Sequence, residues 1–534
     1  MKKIYTLVIW LDLLLTTTIF GQGKNANSIT AAQLQAYLTF VAADEMEGRD
    51  TPSRGLDATA KFLATHLTRW GLKPMGDEGT YFQKISLRRR RTDAAQTGAE
   101  INGRPFRFGV DFLDREQTAG TASGALVYVG HGWMIKSKNL NAYEGLDIKD
   151  KIIIFLSGLP KGVSYADIFG KQGDDFSAPV TYAAKHGAQG AIAIANFQAL
   201  ANWEHYRGDA VDNGSVVVEK FQKNETASIP AITASARMLN ALFEGERESG
   251  TTIFNRGLSG DAVAPFEMKA DKKASFTVGI KSDQVWTQNV VAVLEGSDSK
   301  LKHEYVAIGA HYDHVGIGIA AQNDSVYNGA DDDGSGTVAM LAMAEAFTRG
   351  PRPKRSILFV WHCGEEKGLW GSKYLVENPV VPLNQIVAQL NIDMIGRSKK
   401  VGDSNGENTE LAGANEVYVI GSKMMSAELG RLSEKINKSY LNLSFNYKYD
   451  DPNDPNRFFF RSDHYNYAQK GIPIIFYFNG VHEDYHQPSD SFEKIDYQKM
   501  EKITRTVYAT AWELANAKQR PKVDKKLPAG LNED

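Results

Sequence analysis

Histidine and carboxylate side chains follow four apolar runs in the second half of the chain. The runs are residues 305–310, 357–361, 386–392 and 472–478, and the polar residues after them are His311 with Asp313, Glu365 with Glu366, Asp393, and His486. Such runs predict buried strands, and their alternation with helical patterns predicts a parallel α/β sheet. Because the carboxyl ends of parallel strands meet at one edge of a sheet, we expect these side chains to converge.

An acidic triplet, residues 331–333, adds carboxylates to this set. It precedes a predicted helix in which Met340, Met343, Ala344 and Phe347 recur at helical spacing. Negative charge is favoured at the N-terminus of a helix. We therefore expect the triplet to lie beside the strand ends.

Two histidines and three carboxylates are suitable ligands for a pair of zinc ions with one carboxylate between them. Two zinc ions carry four positive charges and three carboxylates carry three negative charges. About one positive charge therefore remains to stabilise a bound hydroxide. Glu365 and Glu366 need not share a role, since one can bind metal while the other accepts a proton. Asp313, two residues after His311, is placed to orient the imidazole.

Other interpretations of the same region have weaker support. A calcium loop starting at Asp331 requires a glutamate where Ala342 stands. The segment 316–321 (GIGIAA) matches a dinucleotide fingerprint but leads into polar residues and not a helix. Nothing marks Cys363 as an activated thiolate. His314 and His362 are interpreted as structural or as supporting neighbours of the ligands.

Composition narrows the class of protein. The 534 residues are 42 % apolar and 23 % charged, which is typical of globular domains. A net charge of −3 gives no basis for a nucleic-acid binder, and the one dense basic run, residues 88–91, is predicted to be a solvated edge. Cys363 is the single cysteine, which excludes an intrachain disulfide and a cysteine-based metal site.

The first residues predict export. Lys2 and Lys3 precede an apolar stretch, residues 7–20, that is too short to span a bilayer comfortably. We interpret residues 1–21 as a signal peptide. No later uninterrupted apolar segment is long enough to cross a membrane, so the mature chain is expected to be secreted or periplasmic with no stable membrane span.

Five motifs in order carry a resemblance to a known family. They are residues 309–314 (GAHYDH), 329–336 (GADDDGSG), 364–366 (GEE), 391–394 (NIDM) and 485–488 (YHQP). Together they resemble the metal motifs of the secreted bacterial double-zinc aminopeptidases, whose family also contains glutamate carboxypeptidase and glutaminyl cyclase. The resemblance covers residues 288–515, and residues 40–75, with DEMEG at 44–48, resemble the start of the family.

The resemblance implies a role for each site residue. One zinc would be held by His311 and Asp393, the other by Glu366 and His486, with Asp332 bridging, Glu365 as general base and Asp313 as the partner of His311. The bond from Asp332 to Asp333 is often cis in the family. Tyr485 matches a tyrosine that donates to the tetrahedral oxyanion in some members, with a structural role as the alternative. Residues 461–464 and 471–473 resemble the segments that shape the substrate pocket.

The resemblance also implies the fold, the domains and the reaction. The expected fold is α/β, with a doubly wound, mostly parallel sheet of the zinc exopeptidase type. The expected division is a peptidase domain in two parts, 22–120 and 264–517, a β-rich insert at 121–263 resembling a protease-associated domain, and an extended tail at 518–534. The expected reaction removes N-terminal amino acids from peptides with a free N-terminus. A glutaminyl cyclase or carboxypeptidase, and a non-catalytic binding module, are the alternatives.

Overall fold

The computed structural model describes residues 25–168, 172–222 and 228–527. The predicted signal peptide, residues 1–21, lies outside the described residues. The chain divides into two compact units. Of the described residues, 25–85 and 286–527 form unit 1, and those within 86–285 form unit 2. The chain passes from one unit to the other within two long strands, Phe82–Thr92 and Ile280–Leu294.

Unit 1 is built on a mixed sheet whose middle is parallel. Its strands are β1 (Ile280–Leu294), β2 (Tyr305–His311), β3 (Ser356–His362), β4 (Ile386–Ile392), β5 (Glu416–Ile420), β6 (Ser444–Asn446) and β7 (Ile474–Phe478). They lie in the order β1-β3-β2-β4-β7-β5-β6. The neighbours β3, β2, β4 and β7 are parallel, and so are β5 and β6, whereas β1 is antiparallel to β3 and β5 is antiparallel to β7. Beyond β1 the same sheet continues with Phe82–Thr92 and Ser215–Val218. Each predicted run of the sequence forms one of the four central strands.

Helices cover both faces of this sheet. They are α1 (Ala31–Val41), α2 (Arg54–Arg69), α3 (Gly336–Thr348), α4 (Trp370–Glu377), α5 (Ala427–Ser439), α6 (His464–Gln469) and α7 (Tyr497–Asn516). Side chains of β3 alternate between the faces. Leu358 and Val360 belong to one apolar cluster with Leu375 of α4 and Tyr467 of α6.

The opposite face of β3 packs against α3. Phe359 lies beside Phe347, with ring centroids 6.1 Å apart, and Trp361 donates from its indole nitrogen to the Thr337 carbonyl (3.0 Å). The sheet therefore has helices on both sides, as a doubly wound α/β fold requires. The single cysteine, Cys363, is buried at the end of β3, where burial raises the pKa of its thiol.

Unit 2 has its own sheet, with four neighbouring parallel strands in the order in which the chain forms them. These strands are Gly120–Tyr128, Ile152–Leu156, Gly190–Ile194 and Ala231–Ala234. Antiparallel strands flank them: Gly98–Ile101, Arg104–Arg107, Phe112–Asp114, Phe266–Glu267 and Lys273–Val278. Helices include Pro179–Lys185, Ala236–Leu242 and Gly250–Leu258.

Unit 2 is wider than the predicted insert, 121–263. The strand Phe112–Asp114 pairs with Ala231–Ala234, and the strand Gly98–Ile101 pairs with Lys273–Val278. Hydrogen bonds therefore join residues on both sides of the predicted boundaries to the sheet of unit 2. The likeness of this unit to a protease-associated domain stays a prediction.

Two further predictions concern the surface and the end of the chain. Two arginines of the basic run form ion pairs within unit 2, Arg88 with Glu219 and Arg91 with Asp283, each at 2.6 Å. Residues 518–527, the described part of the predicted tail, contain no helix or strand. Among the described residues, none of the helices combines the length and apolar character that crossing a membrane requires.

Candidate metal centre

The carboxyl ends of the parallel strands bring the predicted ligands together in unit 1. His311 ends β2, Glu365 and Glu366 follow β3, and Asp393 follows β4. The loop after β7 carries His486 to the same place. Their ligand atoms form two groups of possible donors: His311, Glu365 and Asp393 in one, and His314, Asp332, Glu366 and His486 in the other.

Asp332 lies between two histidines. Its Oδ1 is 3.3 Å from Nε2 of His311, and its Oδ2 is 3.1 Å from Nε2 of His486. His311 Nε2 is also 3.6 Å from Asp393, and His486 Nε2 is 3.1 Å from Glu366. Each oxygen of one carboxylate thus faces a different cluster, which is the arrangement that a bridging ligand needs.

The electrostatics of Asp332 follow from the same contacts. Burial by itself raises its pKa, but the nearby imidazoles of His311 and His486 outweigh burial and hold the pKa well below its usual range. The carboxylate is therefore ionised, which is the form that binds a cation.

The acidic segment has an irregular backbone that directs its side chains. The peptide bond from Asp332 to Asp333 is cis, as the resemblance implies. Asp333 turns away from the donor groups, and its Oδ1 accepts hydrogen bonds from the N–H groups of Gly336 (2.8 Å) and Met394 (3.2 Å). Helix α3 begins at Gly336, so the predicted position of the triplet before a helix is observed.

A buried arginine holds the two loops that carry His311 and Asp332. The guanidinium of Arg49 donates to the carbonyl oxygens of Tyr312 (2.9 Å), Asn328 (2.7 Å) and Gly329 (2.8 Å), and also to Val41 (2.7 Å). Burial lowers its pKa to about 10, so the group stays charged at neutral pH. Sequence reasoning missed this residue, although it directly follows the DEMEG motif.

Asp313 supports His311 through its backbone. Nδ1 of His311 lies 3.1 Å from the carbonyl oxygen of Asp313 but 3.8 Å from its carboxylate. The carboxylate accepts from the N–H of Glu365 (3.2 Å), and burial raises its pKa to about 7. Asp313 therefore lies beside His311, as predicted, but the nearest partner of the imidazole is the backbone carbonyl, and the carboxylate instead accepts from Glu365.

Glu365 is a largely buried member of the first donor group. Its side chain is about 10 % exposed, and Oε2 lies 3.9 Å from Nε2 of His311. Burial raises its pKa well above the usual range, and the nearby charge of Glu366 adds to the shift. A carboxylate with a raised pKa is the better proton acceptor near neutral pH.

His314 is closer to the ligands than the sequence indicated. Its Nδ1 lies 2.9 Å from Oε1 of Glu366 and 3.8 Å from Oδ2 of Asp332. The sequence signal was its position three residues after His311. His362 lies 3.3 Å from the buried Asp463 and 3.0 Å from the Tyr467 hydroxyl, and neither of these partners is a predicted ligand.

A small pocket is lined by both apolar side chains and the carboxylates. Its apolar walls include Met394, Phe458, Phe476, Phe478 and Val481, and Asp332, Glu365 and Asp393 also line it. The predicted pocket residue Arg461 and Tyr485 also line it. Tyr485 stacks on His486, with ring centroids 3.9 Å apart, and its hydroxyl accepts a long hydrogen bond from Arg461 (3.4 Å).

The donor set fits metal ions of the zinc type. Tetrahedral ligands about 2.0–2.2 Å from one ion lie roughly 3.3–3.6 Å from each other, and the separations around Asp332 are 3.1–3.6 Å. Nε2 of His486 and Oε1 of Glu366 are buried, and the polar atoms 2.9–3.1 Å from them belong to the same donor group. Nitrogen and oxygen donors that lack other partners suit a divalent cation.

Comparisons with known proteins confirm the predicted resemblance. Residues 289–511 match the model of Peptidase family M28. A probable leucine aminopeptidase of Arthroderma benhamiae (strain ATCC MYA-4681 / CBS 112371) is 29 % identical over 242 residues, 43 % of this chain and 59 % of that protein. Aminopeptidase YwaD of Bacillus subtilis (strain 168) is 29 % identical over 248 residues, 45 % and 47 % of the two chains. Both matches span less than two thirds of the relative.

Two solved structures resemble this one over almost its whole length. The aminopeptidase from Aneurinibacillus sp. strain AM-1 has a TM-score of 0.54 at 16 % identity, covering 95 % of this chain and 97 % of that one. BSAP, a zinc aminopeptidase from Bacillus subtilis, has a TM-score of 0.52 at 19 % identity, covering 93 % and 98 %. At these identities the likeness shows the mixed α/β fold.

Proposed function

We propose that this protein is a zinc-dependent aminopeptidase that removes the first residue from peptides with a free N-terminus. The observation that carries the proposal is the position of Asp332, with one carboxylate oxygen facing each of two donor groups. The matched family model and the names of the relatives, which include leucine aminopeptidases, support the same reaction.

The proposed metal ligands are those that the resemblance implies. His311 and Asp393 would hold one ion, Glu366 and His486 the other, and Asp332 both. His314 lies within the second group and is a possible additional donor. Zinc bound there would polarise the scissile carbonyl and lower the pKa of a water molecule.

Side chains of the protein would then transfer the protons of the reaction. Glu365 accepts a proton from the attacking water and delivers it to the leaving amine. Its backbone N–H is held by Asp313, which fixes the base relative to His311. The phenol of Tyr485 lies at the pocket wall beside His486, where a donor to the developing oxyanion would be needed.

The pocket indicates the kind of first residue. Aromatic and aliphatic walls favour an apolar side chain, because burying it in the pocket removes apolar surface from water. We therefore expect leucine or phenylalanine derivatives to be cleaved faster than aspartate or lysine derivatives.

Replacing the proposed base tests the mechanism. Glu365→Gln keeps the size and the hydrogen-bonding oxygen but cannot accept the proton, so turnover of leucine p-nitroanilide should be lost while zinc stays bound. Glu434→Gln is the matched control, because Glu434 pairs with Lys423 (2.6 Å) away from the donor groups. Normal activity in the Glu365 variant would refute the assignment.

Product analysis distinguishes the alternatives on this scaffold. A free N-terminal amino acid supports the proposal, a pyroglutamyl peptide indicates a cyclase, and a released C-terminal residue indicates a carboxypeptidase. Elemental analysis with less than one zinc per native chain and no product would indicate a non-catalytic binding module. About two zinc ions per chain is the expected content.

Export is part of the proposal. Its support is the charged start and apolar stretch of residues 1–21. Mass spectrometry of the mature protein from its natural source should find a new N-terminus near residue 22. An intact Met1 in the mature protein would contradict export by this route.

A further inference from the structure

Asp490 holds the backbone of the acidic segment. Its Oδ2 accepts hydrogen bonds from the N–H groups of Asp331 (2.9 Å) and Asp332 (3.2 Å). Its carbonyl oxygen accepts from the N–H of Ala330 (3.1 Å). Three consecutive backbone donors therefore end on one buried residue, which has no exposed surface.

The same residue belongs to the loop that carries His486. Asp490 lies four positions after His486, and its N–H donates to the carbonyl of Gln487 (3.1 Å). The other oxygen of its carboxylate is 3.7 Å from Arg397, which also pairs with Asp484 (2.7 Å) at the start of this loop. Asp490 thus joins two loops that supply proposed ligands from distant parts of the sequence.

We infer that Asp490 is a positioning residue for the metal centre, which keeps Asp332 directed at both donor groups and in register with His486. This inference rests on the proposed function, because it assigns Asp490 to the zinc site proposed there. Asp490 belongs to neither donor group and is not a catalytic residue: one carboxylate oxygen accepts from two backbone N–H groups, and the other faces Arg397 at 3.7 Å.

Asp490 can affect the metal centre because the carboxylate of Asp332 must face both donor groups at once. A carboxylate can bridge two ions only if its backbone is fixed so that both oxygens keep their directions, and hydrogen bonds to the N–H groups of Asp331 and Asp332 fix it. Without the acceptor, two buried N–H groups lose their partners and the segment must move to satisfy them. Partners of metal ligands of this kind typically change metal affinity by roughly 10- to 100-fold when they are removed.

Unit 1 also contains a control residue for Asp490, which holds a loop that carries none of the proposed metal ligands. Asp450 also accepts from two backbone N–H groups, those of Gly421 (2.7 Å) and Lys423 (3.2 Å). The segment that it holds carries none of the proposed ligands. A role for Asp490 that is only structural predicts similar behaviour of Asp490 and Asp450 variants.

The experiment measures zinc affinity in the full chain by competition with a chromophoric chelator. Asp490→Ala removes the acceptor and should weaken zinc binding by about 10- to 100-fold. Asp490→Asn retains one oxygen that can accept from both N–H groups, so it should recover most of the affinity. Asp450→Ala should leave zinc affinity within about twofold, even where circular dichroism shows a lower melting temperature.

Two outcomes would overturn the inference. One is native zinc affinity in Asp490→Ala, or a loss no larger than that of Asp450→Ala. The other is an Asn variant that binds zinc no better than the Ala variant. If Asp490→Ala does not fold, Asp490→Asn still tests the inference, because its zinc affinity should stay close to that of the native chain and a loss of about 10- to 100-fold would overturn it. Failure of the proposed function is separate, because it shows as a native chain that binds no zinc or releases no amino acid.

Discussion

Each of the two units has its own set of neighbouring parallel strands, but the residues at the carboxyl ends of these strands differ. In unit 1 these ends carry His311, the adjacent Glu365 and Glu366, and Asp393, and they form two donor groups. In unit 2 the residues after the parallel strands include Ser157, Asn196 and Ser235. No donor group of the metal-binding type was found among the described residues of unit 2. Similar strand geometry therefore does not make a metal site without histidines and acids at the ends.

Unit 2 does have a cleft at its strand ends, with a different character. Asp114, Glu116, Asn196 and Trp203 are among its lining residues. Its carboxylates already have partners: Asp114 accepts from Thr92 (2.9 Å), and Glu116 lies 3.6 Å from Arg115. In unit 1 the corresponding acids face histidines and one another, so that a cation would complete the site.

The largest expected difference between the strand ends of the two units is in zinc content and turnover when one aspartate in each is replaced. Asp332→Ala should remove the shared ligand and reduce both zinc content and turnover by more than the roughly 10- to 100-fold expected for supporting groups. Asp114→Ala should leave both within about twofold, since its hydrogen bonds do not reach the donor groups. Elemental analysis and leucine p-nitroanilide hydrolysis measure the pair. Equal losses in the two variants would break the comparison.

The sequence predicts the donor residues well because their types are specific and their strands are continuous apolar runs. β4 begins and ends as expected, and β2, β3 and β7 differ by one or two residues. The motif order then supplies Asp332 and Glu365. These features depend on local patterns, which a single sequence displays.

The supporting contacts are not predictable in the same way. Arg49 reaches carbonyl groups that lie 263 to 280 positions further along the chain, and nothing in its local pattern shows this. Asp490 resembles any polar loop residue until the acidic segment is placed against it. The boundary of unit 2 also depends on long-range strand pairing, such as that of Phe112–Asp114 with Ala231–Ala234.

Replacing the buried Arg49 should have the next largest effect, a loss of stability in unit 1. Arg49→Met leaves four buried carbonyl groups without their donor, and the loss of even a few such bonds costs at least about 3 kcal/mol. Arg49→Lys keeps the charge but not the planar fork, so it should recover only part of this stability. Hydrogen exchange measured by mass spectrometry should show faster opening in peptides of unit 1.

Peptides of unit 2 are the internal control for the Arg49 variants. They should keep native exchange rates, because every acceptor of Arg49 belongs to unit 1. Equal acceleration in both units would mean that the units do not unfold separately, and the comparison between their edges would then need a different measurement.

A buried histidine gives unit 1 a pH-dependent stability. Burial lowers the pKa of His464 from 6.5 to about 3, and its Nε2 lies 2.8 Å from the Phe459 carbonyl. Between these pH values the unfolded chain binds a proton at this site and the folded chain does not, so stability falls as the pH falls. His464→Gln should reduce that slope by about 1.4 kcal/mol per pH unit. Urea denaturation at pH 5, 6 and 7 measures it, and an unchanged slope would exclude His464 as the source.

The smallest expected effect tests whether the loops of unit 2 depend on ordinary neutral hydrogen bonds. The hydroxyl of Tyr143 donates to the Gly132 carbonyl (2.7 Å), and its ring stacks on Tyr182 with centroids 3.9 Å apart. Tyr143→Phe keeps the ring and removes one bond, which should cost about 1 kcal/mol in local opening. Hydrogen exchange should accelerate in unit 2 peptides alone, with zinc content and turnover unchanged. A free-energy cost larger than that of Arg49→Met would contradict the expected difference between the units. The loops of unit 2 would then depend more strongly on one side chain than the loops around the donor groups of unit 1 do.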